Sequence, residues 1–267
     1  MVRIGVAGAA GKMGSRIAAL ASEYEGLQLA GAFERKGHKD IGRDLLSVTG
    51  AGTPGMVLSE NVSGIVDVVD TIIDFTSIES TKENLKVASA KGKAMVIGTT
   101  GFSKDDLLEM SPLLKKIPCV MASNMSLGVN LLLKVLQDVA RTLGDDYDIE
   151  IVEAHHRLKK DAPSGTAMKM AQVIAEAVNR NLDEVGVYAR KGIIGARTKK
   201  EIGIQTVRAG DIVGEHTVYF GGLGERIEIT HKASSRDTFA RGALRAAVWL
   251  AGKPAGLYDM QDVLGLK

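Results

Sequence analysis

Val2-Arg3-Ile4-Gly5-Val6-Ala7-Gly8-Ala9-Ala10-Gly11-Lys12-Met13-Gly14 decides how the first half of the chain is read. Val2 to Ala7 is short and apolar, as a buried strand should be. The glycines follow at once, spaced Gly8-x-x-Gly11-x-x-Gly14. Ser15 to Ser22 then reads as a helix with Ile17, Leu20 and Ala21 on its inward face. A glycine cluster alone says little. Between a strand and a helix it fits a dinucleotide site, because glycines let the backbone approach a pyrophosphate and the helix start offers unpaired N–H groups. The usual G-x-G-x-x-G spacing is broken by Ala10, which is still small enough for that approach.

The next strand, Leu27 to Phe33, ends at Glu34-Arg35-Lys36. An acid at this point accepts hydrogen bonds from the adenosine ribose. Arg35, helped by Lys12 or Lys36, would hold the 2′-phosphate of NADP. Having both implies weak discrimination, so the expected cofactor is NADH or NADPH. Residues 36–63 are rich in Gly, Ser and Thr and read as a loop region with at most short elements. Strands are expected at 71–75, 94–97 and 118–122, with helices at 78–90 and 104–115 between them. That alternation predicts a doubly wound parallel sheet of the Rossmann type. Ligands of such sheets bind at the C-terminal strand ends. There stand Thr76 and Ser77, then Gly98-Thr99-Thr100-Gly101, then Ser123-Asn124-Met125-Ser126.

Farther along, after an apolar helix from Val129 to Leu143, Asp148 to Glu153 alternates charged and apolar residues, with Val152 breaking the pattern. It reads as a half-buried strand. It leads into Glu153-Ala154-His155-His156-Arg157-Leu158-Lys159-Lys160-Asp161-Ala162-Pro163-Ser164-Gly165-Thr166. Ser164 sits where an N-cap belongs, and a helix follows from Thr166 to Val178. The N–H groups at that start form an anion site, Gly165 admits the anion, Thr166 adds a hydroxyl and Lys159 a full charge. The segment suits a small substrate bearing carboxylates. Two adjacent His residues on a strand face opposite ways, so one of them has a structural reading instead. No third ligand stands at metal-site spacing. Residues 188–201 read as a mobile basic loop. Strands at 203–207, 215–220 and 225–232 make the second region α+β, with an open mixed or largely antiparallel sheet. Thr238 to Ala251 is a closing helix, and Tyr258 and Val263 suggest that the tail packs back on the body.

Composition narrows the classes. A net charge of +2 and 4% aromatics give no global signal for nucleic acid or membrane partners. A single cysteine, Cys119, excludes an internal disulfide and fits a reducing compartment. Lys12 and Arg16 interrupt the opening apolar run too early for a signal peptide, so a cytoplasmic protein is expected.

Five segments now occur together: Gly8 to Gly14, Gly98 to Gly101, Glu153 to Thr166, Thr206 to His216, and His231-Lys232-Ala233-Ser234-Ser235-Arg236. In this order they resemble the 4-hydroxy-tetrahydrodipicolinate reductase (dihydrodipicolinate reductase) family of bacterial lysine and diaminopimelate synthesis, from end to end. Lys12 stands where Arg is frequent in that family, and Met125 where an aromatic is often found. The resemblance implies a dinucleotide-binding domain at 1–126, with 237–267 packing back on it, and a substrate-binding and oligomerisation domain at 127–236. It implies cofactor contacts at Gly8, Ala9, Ala10, Gly11, Lys12, Met13, Glu34, Arg35, Gly98, Thr99, Thr100, Ala122, Ser123, Asn124 and Met125. Substrate contacts are implied at His156, Lys159, Ser164, Gly165 and Thr166, with His155 and Lys159 as the acid–base pair. A homotetramer built through the second domain's sheet is implied too. Two rivals remain: another Rossmann dehydrogenase acting on an amino acid, and a non-catalytic dinucleotide sensor.

Overall fold

The structure is a computed structural model that describes residues 1–267. In chain order the elements are β1 (Val2–Ala7), α1 (Lys12–Ala21), β2 (Leu27–Phe33), α2 (Leu45–Thr49), β3 (Thr71–Asp74), α3 (Ile78–Ala90), β4 (Ala94–Ile97), α4 (Lys104–Leu114), β5 (Pro118–Met121) and α5 (Leu127–Leu143). Then come β6 (Asp148–His155), α6 (Gly165–Ala177), α7 (Leu182–Val185), β7 (Gly186–Val187), β8 (Ile202–Arg208), β9 (Gly214–Gly221), β10 (Arg226–Ala233), α8 (Asp237–Leu250), β11 (Gly256–Tyr258) and α9 (Met260–Leu264). No helix is long and apolar enough to cross a membrane. The chain divides into two compact units, Met1–Leu127 with Asp237–Lys267, and Gly128–Arg236.

The first unit is a six-stranded sheet ordered β11-β5-β4-β3-β1-β2, parallel throughout. Its central strands carry side chains with no exposure at all, such as Ile4, Ile73 and Val96 toward one apolar cluster and Ile72, Met95 and Ile97 toward another. A strand buried on both faces reads as a continuous apolar run, which is why β3 and β4 show no alternation. Helices α1 and α8 cover the first face, and α3 and α4 the second. Order reverses between β1 and β3, so their C-terminal ends part and leave a crevice for a ligand. The tail adds the edge strand β11, three residues too short to be seen in the sequence. Trp249 and Tyr258 pack edge to face at 5.1 Å, and Val263 is buried. Cys119 is buried, and burial pushes its thiol well up from the ordinary value.

The second unit is a five-stranded sheet ordered β10-β9-β6-β8-β7. It is mixed: β6 pairs antiparallel with β9 and parallel with β8, and β7 also runs parallel to β8. The largely antiparallel alternative fails because β6 and β8 are joined through α6 and α7, and a helical crossover brings strands back parallel. On the face packed against α5 and α6, the register sets Ile202, Ile149, Phe220 and Ile227 in one row across the strands, and Ile204, Ile151, Val218 and Ile229 in the next. Residues 188–201 are irregular, as expected, and two of their arginines are paired. Arg190 makes a two-pronged pair with Glu150, and Arg197 reaches both Asp148 and Glu150. These two arginines find carboxylates on the outer face of β6.

Candidate active site

The two apolar rows of the second sheet are followed, one step nearer the C-terminal end of β6, by a polar row: Thr206, Glu153, His216 and His231. The next row sets Arg208 beside His155 and Gly214. Glu153 therefore continues the buried face of Ile149 and Ile151, and its side chain has no solvent exposure. A carboxylate there must be fully paired. One oxygen accepts the Ser164 N–H at 2.9 Å, Arg208 Nη2 at 2.8 Å and the Thr206 hydroxyl at 3.3 Å. The other accepts Arg208 Nη1 at 2.8 Å and lies 2.6 Å from His155 Nδ1. Burial alone would raise the Glu153 pKa. Arg208, His155 and the Ser164 N–H outweigh it and hold the group at about 2.

Glu153 thus joins the two functions read in the sequence. It grips the imidazole of His155 and also the N-cap of α6. His155 Nε2 makes no hydrogen bond within the protein, and a Cβ on Gly214 would come within 3.0 Å of it. Ser164 caps α6 by accepting the Ala167 N–H at 3.2 Å, and its hydroxyl lies 3.0 Å from His216 Nε2. Gly165 and Thr166 follow Ser164 in the first turn of this helix. A Cβ on Gly165 would meet nothing within 4 Å, so the space beside it is open. His216 is buried and packs against His155 with ring centroids 5.2 Å apart. Burial, then the neighbouring His155, push His216 down to about 4. His156 is half-buried and its Nδ1 has no partner. Lys159 pairs with Asp161 at 2.8 Å, which differs from the expectation that its ammonium sits on the helix start. It remains close enough for its charge to help lower His216.

The first unit places its expected residues around the strand ends β1 to β5. Gly8 takes a left-handed φ of +62°, and a Cβ there would meet Thr76 at the end of β3. Gly11 is the N-cap of α1, which starts at Lys12, earlier than the Ser15 read from the sequence. A Cβ on Gly14 would collide with the backbone of Gly8 and Ala9, so only glycine lets the helix close on the turn. Glu34 is almost fully buried, and its carboxylate accepts the Ala10 N–H at 3.0 Å and the Arg35 N–H at 3.2 Å. Arg35, Lys12, Thr100 and Ser123 are exposed, while Ala122 and Asn124 are half-buried. A Cβ on Gly98 would strike the Phe75 ring. Two expected contacts are restricted. Met125 is 1% exposed in the core, so only its backbone can meet a nucleotide. The Thr99 hydroxyl is engaged by Thr81 at 2.8 Å and Asp74 at 3.3 Å, so Thr99 too offers its backbone. Asp74 is fully buried; burial raises its pKa despite bonds from Asn84, Thr76 and Thr81.

Glu153, Thr206, Arg208, His216 and Asp74 had no assigned role in the sequence reading. For the first, a signal was present: Ile149, Ile151, Glu153 and His155 share one strand face, and a carboxylate in step with buried isoleucines demands partners. The same holds for His216 with Val218 and Phe220. Arg208 had no such signal, because only strand register brings it to Glu153.

A parallel nucleotide-type sheet with a glycine turn, and in the same chain a buried carboxylate gripping an imidazole at a helix start, define a two-part dinucleotide-dependent oxidoreductase. The description "Dihydrodipicolinate reductase, N-terminus" matches residues 2–125, and "Dihydrodipicolinate reductase, C-terminus" matches residues 128–264. The chain belongs to the dihydrodipicolinate reductase family. It is 58% identical to the 4-hydroxy-tetrahydrodipicolinate reductase of Syntrophobacter fumaroxidans and 55% identical to that of Syntrophus aciditrophicus, each over the full length of both chains. Among solved structures it is similar to dipicolinate-bound dihydrodipicolinate reductase from Paenisporosarcina sp. TG-14, with 28% identity, 98% of each chain covered and a TM-score of 0.76. An amine dehydrogenase from Mycobacterium smegmatis shares the fold at 13% identity and a TM-score of 0.60, over 96% of this chain and 94% of that one.

Proposed function

We propose that this chain reduces 4-hydroxy-tetrahydrodipicolinate, by way of dihydrodipicolinate, to tetrahydrodipicolinate in lysine and diaminopimelate synthesis. The full-length 58% identity to a reductase of that name carries the reading. NADH or NADPH supplies the hydride. The glycine turn fits such a cofactor, because Gly14 lets α1 close against the backbone of Gly8 and Ala9, and Gly98 admits the Phe75 ring beside it. Gly8 to Met13 face the pyrophosphate, Glu34 the ribose and Arg35 a 2′-phosphate. Gly98 to Thr100 and Ala122 to Met125 line the nicotinamide side through backbone and small side chains.

The remaining chemistry falls to the second unit. The Gly165 and Thr166 N–H groups and the Thr166 hydroxyl take one substrate carboxylate, with Ser164 and His156 beside them. The Paenisporosarcina relative binds dipicolinate, a planar dicarboxylate of the right kind. Lys159 offsets the negative charge that develops on the substrate. His155, whose Nε2 no protein group occupies, delivers the proton. The same reading makes the chain a cytoplasmic homotetramer assembled through the second sheet, whose outer face exposes Val207 and Thr230. The test is oxidation of NADH and of NADPH with enzymatically generated hydroxy-tetrahydrodipicolinate, beside aspartate and homoserine in the reverse direction. Turnover of the cyclic substrate alone is expected. Amino-acid oxidation would replace the reading with a rival dehydrogenase, and cofactor binding without turnover would replace it with a sensor. Sedimentation equilibrium checks the tetramer.

A further inference from the structure

We infer that Glu153, itself held by Arg208, is a positioning residue that fixes the tautomer of His155 and ties the proton donor to the carboxylate-binding start of α6. The inference rests on the proton-donor reading of His155. It adds two residues to which no role had been given.

The geometry leaves little freedom. Glu153 Oε2 lies 2.6 Å from His155 Nδ1, and the carboxylate is ionised, so Nδ1 carries the hydrogen and donates it. Nε2 is then the nitrogen that exchanges a proton with substrate. When Nε2–H gives up its proton to the substrate, the electron pair stays on Nε2, and the imidazolium becomes the neutral Nδ1–H form. Glu153 does not take the second proton, because both guanidinium arms of Arg208 lie on it at 2.8 Å. Arg208 also has the opposite influence on His155 from Glu153. The anion meets the imidazole at Nδ1, while Arg208 neutralises much of that anion from its other side.

Other charged or titratable groups around His155 are His216 on β9, His231 beyond it on β10, and His156, Lys159 and Asp161 on the following loop. The α6 cap brings the uncharged Ser164, whose hydroxyl lies 3.0 Å from His216 Nε2. Glu153 is the single carboxylate in hydrogen-bond contact with the imidazole. Its other oxygen accepts the Ser164 N–H, so one rigid group sets the distance between proton donor and carboxylate site. A purely structural buried pair would hold the fold together without moving the pH dependence of turnover.

Two measurements decide. In the wild-type protein, long-range nitrogen–proton NMR of the His155 ring, assigned with His155→Gln, should show the Nδ1–H tautomer once the ring is neutral. The Nε2–H tautomer there overturns the inference without touching the reductase reading. In kcat/KM against pH, Glu153→Gln should move the limb on which activity falls toward lower pH by about one unit or more. Arg208→Met should move it toward higher pH, and Glu153→Asp should restore part of the wild-type profile. Shifts in the same direction, or lower rates at every pH with unmoved limbs, overturn the inference. If Glu153→Gln does not fold, the wild-type NMR and the Arg208→Met profile still decide. Absence of turnover in the wild type would instead count against the proposed function.

Discussion

The Ser164 hydroxyl lies 3.0 Å from Nε2 of His216, and both side chains are buried. Ser164 is at once the cap of α6 and a neighbour of the proposed substrate site, so on that reading His216 supports the site through it. Protonation of His216 would place a charge between His155 and His231 with little water to solvate it.

That arrangement predicts an acid-sensitive fold. His216 is lowered by burial from 6.5 to about 4, so its contribution is complete above 6.5 and is lost as pH falls through 4. Glu153, lowered from 4.5 to about 2, extends the loss to more acid pH, since its contribution disappears between those values. Urea unfolding between pH 7.5 and 4 should show a decline of which roughly 3 kcal/mol or less belongs to His216. His216→Gln, although less stable at neutral pH, should flatten the curve between 6.5 and 4. Parallel curves for variant and wild type would mean that His216 titrates normally.

Gly14→Ala tests the nucleotide turn. Its methyl group would run into backbone of Gly8 and Ala9, which cannot move aside as a flexible side chain would. Turn and helix must separate, so affinity for NADH and NADPH should fall together by tenfold or more, about 1.4 kcal/mol. Fluorescence titration of reduced cofactor checks it. Unchanged affinity would place the pyrophosphate elsewhere.

Arg35 and Glu34 predict a different pattern. The buried Glu34 carboxylate braces the Ala10 N–H and, on the proposed reading, would serve the ribose of either cofactor, whereas Arg35 is exposed, as a 2′-phosphate partner must be. Wild-type affinities for NADH and NADPH should lie within about tenfold of each other. Arg35→Ala should raise KM for NADPH and leave KM for NADH nearly alone. Equal effects on both would reduce Arg35 to a solvated neighbour.

The parts legible in the sequence are those fixed by local pattern. Strand, glycine turn and helix at Val2 to Ser22, and the N-cap at Ser164, follow from neighbours a few residues apart. Helix α1 began earlier than read because Gly11, not a polar residue, is its cap. What was missed depends on register. Arg208 is 55 residues from Glu153, and His216 is 52 from Ser164. Both pairs exist only because β6 lies between β8 and β9, and no local pattern states that order. The arginine pairing within 188–201 was hidden for the same reason: its partners Asp148 and Glu150 lie on β6, some forty residues earlier in the chain.

Gly165 and Thr166 test the carboxylate site from two directions. Nothing in the protein opposes a methyl group on Gly165, and alanine suits a helix better, so Gly165→Ala should keep or raise thermal stability. It should still weaken a planar dicarboxylate, because the methyl enters the space the anion needs. Thr166→Val removes a charge-assisted hydrogen bond, about 1.5–3 kcal/mol. Calorimetry with pyridine-2,6-dicarboxylate in the presence of NADH reads both. Full affinity in Gly165→Ala would remove the anion from this helix start.

Lys159 is the most exacting case, because the structure pairs it with Asp161 at 2.8 Å and leaves Asp161 exposed. An exposed partner holds a lysine weakly, since the net value of such a pair is about 1 kcal/mol or less. A substrate carboxylate at the helix start would compete for the ammonium on good terms. Arg208 fixes the same loop by donating to the Asp161 carbonyl at 2.7 Å, so the backbone beside Lys159 stays in place while its side chain swings. A charge that serves both substrate binding and the charge developing in the reaction should change both constants when removed. Lys159→Ala should therefore raise KM and lower kcat, for a loss of about a hundredfold or more in kcat/KM, with cofactor affinity unchanged. Asp161→Asn, which frees the ammonium, should leave kcat near the wild-type value. Lys160 is exposed and has no ion-pair partner, so Lys160→Ala is the control. If both lysine variants behave alike, Lys159 has no special role. If only Lys160→Ala is damaging, the loop presents the other lysine to the substrate.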